Sequence, residues 1–124
     1  DGYTGPYIQY AHARLSSILA RTGEDGAPYV PGEAATDDPA EFSVLSLLAA
    51  YPSHVRSAAE AYRPSILAEY LFDLAQASND FYRDAPVLSA PGPDRRRRIF
   101  ITRAVRAAIA NGLAILGIDA PDEM

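Results

Sequence analysis

Between Pro64 and Asp84, the residues Leu67, Tyr70, Leu71, Leu74, Ser78 and Phe81 recur three and four apart over four turns. That spacing lines one side of an α-helix and suits no strand. Ile66 and Phe72 widen the stripe, and Ala75, Ala77 and Ser78 are small enough to let another helix approach closely. Four further segments carry a helical period, none alternates convincingly with period two, and no internal repeat is visible. The expected fold class is all-α, an antiparallel helical bundle of about five helices joined mostly by short loops. A chain of 124 residues suits a single domain over residues 1–124.

The first helix spans Thr4 to Arg21. Thr4 or Gly5 can cap it, and Pro6 sits near its first position, where the missing N–H costs nothing. Ile8, Ala11, Leu15, Ile18 and Leu19 face a core, while Tyr3, Tyr7, Tyr10, Arg14 and Arg21 form a second line along one side. The next helix opens at Asp38-Pro39-Ala40-Glu41, with Asp38 as cap, Glu41 as its reach-back partner, and Phe42, Leu45, Leu48 and Ala49 on the apolar side. Pro52-Ser53 starts a short helix with Val55, Ala58, Ala59 and Tyr62 inward. Asp94 can cap the last helix, in which Ile101, Val105, Ala108, Ile109, Gly112, Leu113, Ile115 and Leu116 line a core face. Gly117 then ends it, with Ile118 placed for the contact after the cap. Residues 22–40, rich in glycine, proline and acid, read as a mobile loop whose charge keeps it off any phosphate path. In the stiffer 85–94 loop, Val87 and Leu88 tuck under the bundle.

Charge is distributed unevenly. The chain carries net −5, residues 1–50 also carry −5, and residues 83–106 carry +5. An acidic total argues against general coating of nucleic acid, whereas one basic sector fits contact with a polyanion at a defined place. All 11 basic residues are arginine, which fits a GC-rich genome and also a use for planar, bidentate cations. The absence of cysteine excludes a disulfide framework and a thiolate metal site. No apolar run approaches the ~20 residues of a membrane span, and no basic segment leads into an apolar one as in a secretory signal. Neither His12 nor His54 sits in a metal-spaced cluster, and no G-x-S-x-G elbow or glycine-rich phosphate loop occurs. No metal or cofactor is therefore expected in this segment. His12 reads as a packing or hydrogen-bonding residue rather than a base. The start at Asp1-Gly2 rather than Met suggests an excised or processed chain.

Two features invite a functional reading, and each has a plainer one. The tyrosine–arginine line on the first helix offers stacking surfaces and phosphate charge to an unstacked base. It equally describes half-buried rings with wet hydroxyls, and pattern alone favours that. Arg95 to Arg98 occupy the first turn of the last helix, the wrong end for cations, so an anion could hold them there. The plainer reading is a solvated rim.

The wording of the sequence adds to its pattern. T-G-P-Y-I-Q-Y-A-H-A-R (Thr4–Arg14) resembles the opening helix of the C-terminal, DALR-type anticodon-binding domain of arginyl-tRNA synthetases. L-A-Q-A-S-N-D-F-Y (Leu74–Tyr82) is similar to that family's L-A-x-x-x-N-x-F-Y. A-N-G-L-A-I-L-G-I-D-A-P-D-E-M (Ala110–Met124) resembles the end of the same domain, with acid where the family's A-P-E-R-M ending has arginine. Cysteinyl-tRNA synthetases share the domain type, but A-N-G-L-x-x-L-G-I points to arginine.

The resemblance implies recognition of the anticodon stem-loop of arginine tRNA within a parent ligase that forms arginyl-tRNA with ATP in the cytoplasm. The ATP site and catalysis would belong to a catalytic domain upstream of residue 1, since neither an H-I-G-H-like nor a K-M-S-K-like signature is present. Tyr7 and Tyr10 fall on family positions that pack against unstacked anticodon-loop nucleotides, and Met124 on a terminal position near the same site. Arg14, Tyr82, Arg95 and Arg96 complete the candidate tRNA-binding set. Asn79 can support or contact RNA, while Phe81 reads as core and Asn111 as a structural hydrogen-bonding residue. The alternative is a stand-alone helical domain acting in protein interaction or regulation without catalysis. The RNA reading requires exposed phenol rings beside Met124.

Overall fold

The computed structural model describes residues 4–23, 38–85, 87, 90 and 92–124. Tyr3, Leu88 and the acidic loop beyond Gly23 lie outside the described residues. Five helices follow in order: α1 (Thr4–Thr22), α2 (Pro39–Ala49), α3 (Tyr51–Glu60), α4 (Pro64–Asp84) and α5 (Gly92–Ile115), with no strand among the described residues.

The helix with the most regular stripe is the centre of the bundle. α4 packs against all four others, and α5 also packs against α1 and α2. Side-chain partners give the directions. Thr22 meets Arg95 and Ser16 meets Arg106, so α1 and α5 run antiparallel. Gly112 near the end of α5 abuts Leu71 near the start of α4, so these two also run antiparallel. Tyr7 and Arg14 meet Asn79 and Tyr82, while Gly5 and Ile8 lie near Ser65 and Ala68, so α1 and α4 run in the same sense. Antiparallel neighbours therefore share the bundle with a parallel pair.

Leu67, Tyr70, Leu71, Leu74, Ala75, Ser78 and Phe81 of α4 are buried, as are Ile8, Ala11, Leu15 and Ile18 of α1. On α5, Ile99, Ile101, Val105, Ile109, Gly112 and Leu113 are buried. Val87 is fully buried beneath the bundle. Gly112 is the closest approach: a Cβ there would lie 2.7 Å from Leu71 Cδ2. Asp38 caps α2, its carboxylate accepting from the Ala40 and Glu41 amides. Gly117, with φ +75°, closes α5; the Ile118 amide donates to the Leu113 carbonyl and the Gly117 amide to that of Ala114. This is the Schellman arrangement.

Five expected core assignments are corrected. Phe42 is 68% exposed and Ala49 is exposed, because α2 turns Glu41 and Val44 inward. Tyr62 is 93% exposed and Ala59 faces solvent. Tyr62 occupies the left-handed position of a second Schellman cap (φ 52°), with the Arg63 amide bonded to the Ala58 carbonyl and its own amide to that of Ala59. Ile115 is turned away from the line of Ile109, Leu113 and Leu116 that meets the core and is 55% exposed.

Glu41 also departs from its expected role as a reach-back partner. Its carboxylate is fully buried and accepts from Arg97 Nε at 2.6 Å, Arg97 Nη2 at 3.0 Å and Arg98 Nε at 3.4 Å. α5 begins at Gly92, ahead of the expected cap Asp94, which instead accepts from Arg97 Nη1 at 2.9 Å. Glu41 hydrogen bonding holds the Arg97 guanidinium protonated above its ordinary range, with burial pulling the other way. With α5 starting at Gly92, Arg97 and Arg98 fall in its second turn rather than its first, and the anion they meet comes from the protein's own α2.

Candidate nucleic-acid interface

Each residue turns an α-helix by about 100°, so α1 carries several separate lines. Ile8, Ala11, Leu15 and Ile18 form the core line. Tyr10, Ala13, Arg14, Ser17 and Arg21 form another on the opposite side, along an open groove of about 750 Å³. Asp122, Glu123 and Met124 of the C-terminal tail make the groove's other wall. Tyr10 is 59% exposed and Met124 66% exposed, so a large ring and a flexible thioether face one space with two guanidinium groups.

α4 holds Arg14 of the groove wall and, beside it, Tyr7. Asn79 Nδ2 donates to Tyr7 Oη at 2.9 Å, and Asn79 Oδ1 accepts from Arg14 Nη1 at 3.4 Å. Arg14 lies over the Tyr82 ring, 4.9 Å from its centroid. The Tyr7 ring packs at 4.9 Å against Phe72. Tyr7 is thus a half-buried support, and Tyr82 positions Arg14 through a cation–π contact.

Residues after Ile118 form no helix, yet they are fixed. Gln9 Nε2 donates to the Asp119 carbonyl at 3.0 Å. His12 Nδ1 donates to the Pro121 carbonyl at 2.7 Å, because a carbonyl only accepts. Ser16 Oγ donates to Asp122 Oδ1 at 3.2 Å, and Arg106 reaches both Ser16 Oγ (2.6 Å) and Asp122 Oδ1 (2.7 Å). The Arg106 hydrogen bond, followed by that of Ser16, holds the Asp122 carboxyl below its ordinary value. Asp122 therefore stays ionised at neutral pH, and its contribution is lost only as pH falls below the usual carboxylate range.

Of the residues singled out from sequence, the structure brings Tyr10, Arg14 and Met124 to one groove, with Tyr7 and Tyr82 supporting its edge. The first helix and the last residues of the chain thus lie on the same side of the molecule. Arg95 and Arg96 do not line the groove; Arg95 donates to the Thr22 carbonyl at 3.2 Å, closing the end of α1. Arg21, present in the first-helix line, does line it. Sequence reasoning missed Ala13, Ser17, Asp122 and Glu123 in the lining, and Gln9, Ser16 and Arg106 as fasteners of the tail. Gln9, His12 and Ser16 are polar residues three and four apart beside the core line, and that spacing was the available signal. His12 is the buried hydrogen-bonding residue its setting suggested. Among the described residues, no group of three or more acidic or histidine side chains could hold a metal, and no helix is long and apolar enough to cross a membrane.

Five packed helices with a C-terminal strap laid along the first place the chain among the DALR anticodon binding domains: that family's model matches residues 8–124, and the chain belongs to the family. Its relatives there are arginine–tRNA ligases. The enzyme from an Exiguobacterium species is 37% identical over 124 residues, covering 100% of this chain and 21% of the relative. That from Archaeoglobus fulgidus is 40% identical over 98% of this chain and 22% of its own length. The Thermus thermophilus arginyl-tRNA synthetase structure superposes with a TM-score of 0.86 at 40% identity, over 97% of this chain and 21% of that one. A Campylobacter jejuni structure shares the fold (TM-score 0.84, 21% identity, 98% of this chain and 26% of that one). The chain spans about a fifth of the length of the curated relatives it matches. These matches give no support to the stand-alone interaction module.

Proposed function

We propose that this domain binds the anticodon stem-loop of an arginine tRNA as part of an arginine–tRNA ligase, with ATP-dependent catalysis carried by a separate upstream domain. The segment itself is read as non-catalytic, needing no cofactor or metal, and as working in the cytoplasm. An unstacked base of the loop enters the groove and lies on the Tyr10 ring. Arg14 and Arg21 meet neighbouring phosphates, and Met124 closes the far side with a polarizable apolar contact. Tyr7 and Tyr82 act by holding this wall, and Arg95 and Arg96 lie beyond it as candidates for backbone contact. The observation that carries the reading is the joint exposure of Tyr10 and Met124 on one groove that also holds two arginines.

Titration with matched and anticodon-swapped hairpins tests it. The matched hairpin binds more tightly, and affinity falls with salt at a log–log slope of about −0.7 per phosphate neutralised. Tyr10→Ala costs about 1–3 kcal/mol if a base stacks on the ring. Equal affinity for every hairpin, or no loss in Tyr10→Ala, refutes the proposal.

A further inference from the structure

The fastening of the tail has a register. Gln9, His12 and Ser16 hold Asp119, Pro121 and Asp122 in the same order along α1. Seven helical residues rise about 10 Å, and three extended residues span about 10 Å. The two therefore stay in step, and the strap runs parallel to the helix. Two residues further on, Met124 comes level with the last turn of α1, where Arg21 also lines the groove. His12 is the central fastener and the only one of the three α1 residues that is buried, at 2% exposure.

We propose that His12 is a positioning residue for the base groove: by donating from Nδ1 to the Pro121 carbonyl, it sets the strap so that Asp122–Met124 form the wall facing Tyr10. This rests on the base-binding reading above. His12 does not line the groove; it acts through one carbonyl on a segment with no helix of its own. A one-residue slip of the strap would move Met124 about 3.4 Å and reshape the wall, while leaving Tyr10 and Arg14 in place. Asp122, tied to Ser16 and to Arg106 of α5, blocks the same slip from the exposed side.

The test uses the full chain, His12→Ala, His12→Asn and Asp122→Asn, together with a chain ending at Asp119. Two quantities are read: the rate at which carboxypeptidase releases the tail without RNA, and the affinity for the matched hairpin. In His12→Ala, tail release accelerates and affinity falls by about tenfold, the size expected for losing one buried hydrogen bond. His12→Asn restores both, since its amide can donate to the same carbonyl. Asp122→Asn, which also removes a negative charge from the groove wall, is read by tail release alone, and that accelerates without disturbing the interior. The truncated chain binds weakly and is indifferent to His12→Ala. An equal further loss in the truncated chain would overturn the proposal, because His12 would then be acting through the bundle. Faster tail release with unchanged affinity would overturn it too. If instead Tyr10→Ala fails to weaken the hairpin, the base-binding reading fails and the positioning role falls with it, while the digestion rates still report how the strap is held.

Discussion

Replacing Glu41 by alanine would strip the buried anion from the α2–α5 contact. Glu41 is fully buried and Arg97 is 5% exposed. The carboxylate takes both Arg97 Nε and Nη2, at 2.6 and 3.0 Å, in a two-pronged geometry. Removing one partner of such a pair costs about 3–5 kcal/mol, because the remaining charge stays buried. Arg97 keeps its bond to Asp94, which still partly neutralises the stranded charge. That places the expected loss near the lower end, about 3 kcal/mol, against a typical total of about 5–15 kcal/mol. For a domain of this size, the melting temperature should drop by about 10–15 °C. Urea unfolding followed by helical circular dichroism measures it, with the m-value unchanged. The double variant Glu41→Met with Arg97→Met should recover most of the loss, because it leaves no unpaired charge. Its hairpin affinity should match that of the parent, since Arg97 serves α2 rather than RNA. A loss under about 1 kcal/mol in Glu41→Ala would mean that the pair behaves like a surface contact, and the argument from burial would fail. So would a double variant no better than the single one.

Other expectations follow from single positions. Tyr62→Gly should raise stability by about 0.5–1 kcal/mol, since a left-handed non-glycine residue costs roughly 1–2 kcal/mol and glycine's chain entropy offsets only part of that; a lower urea midpoint contradicts this. Gly112→Ala should lower stability by up to about 2 kcal/mol, the clash with buried Leu71 outweighing a helix-propensity gain of about 1 kcal/mol; a higher melting temperature would show that Leu71 moves freely. Burial, then the nearby Tyr51, push the Tyr70 phenol up to about 12, and its hydroxyl donates to the Leu47 carbonyl. The folded state therefore holds that proton more tightly than the unfolded chain, so stability falls as pH rises from about 10 toward 12. Tyr70→Phe should flatten that alkaline slope in denaturation profiles.

The sequence by itself determined the five helices, the identity of their central member and the caps at Asp38 and Gly117. Each is a local matter: a period that matches one face, a carboxylate within reach of its own helix amides, a glycine where φ turns positive. It also placed Tyr10 and Met124 among the candidates through the wording at the two chain ends, and Arg14 through its spacing along the first helix. Tertiary structure alone decided which face of α2 turns inward. That helix is apolar on several sides, and a buried ion pair with α5, 56 residues away, selects Glu41 and Val44 over Phe42. It also turned Arg97 and Arg98 from candidates for an external anion into partners of Glu41, and laid a helix-free tail along α1. Periodicity reports which residues share a face; which face meets which partner depends on contacts between residues far apart in the chain. That is why Ser17 and the tail fasteners emerged only when α1, α5 and the C-terminal strap came together.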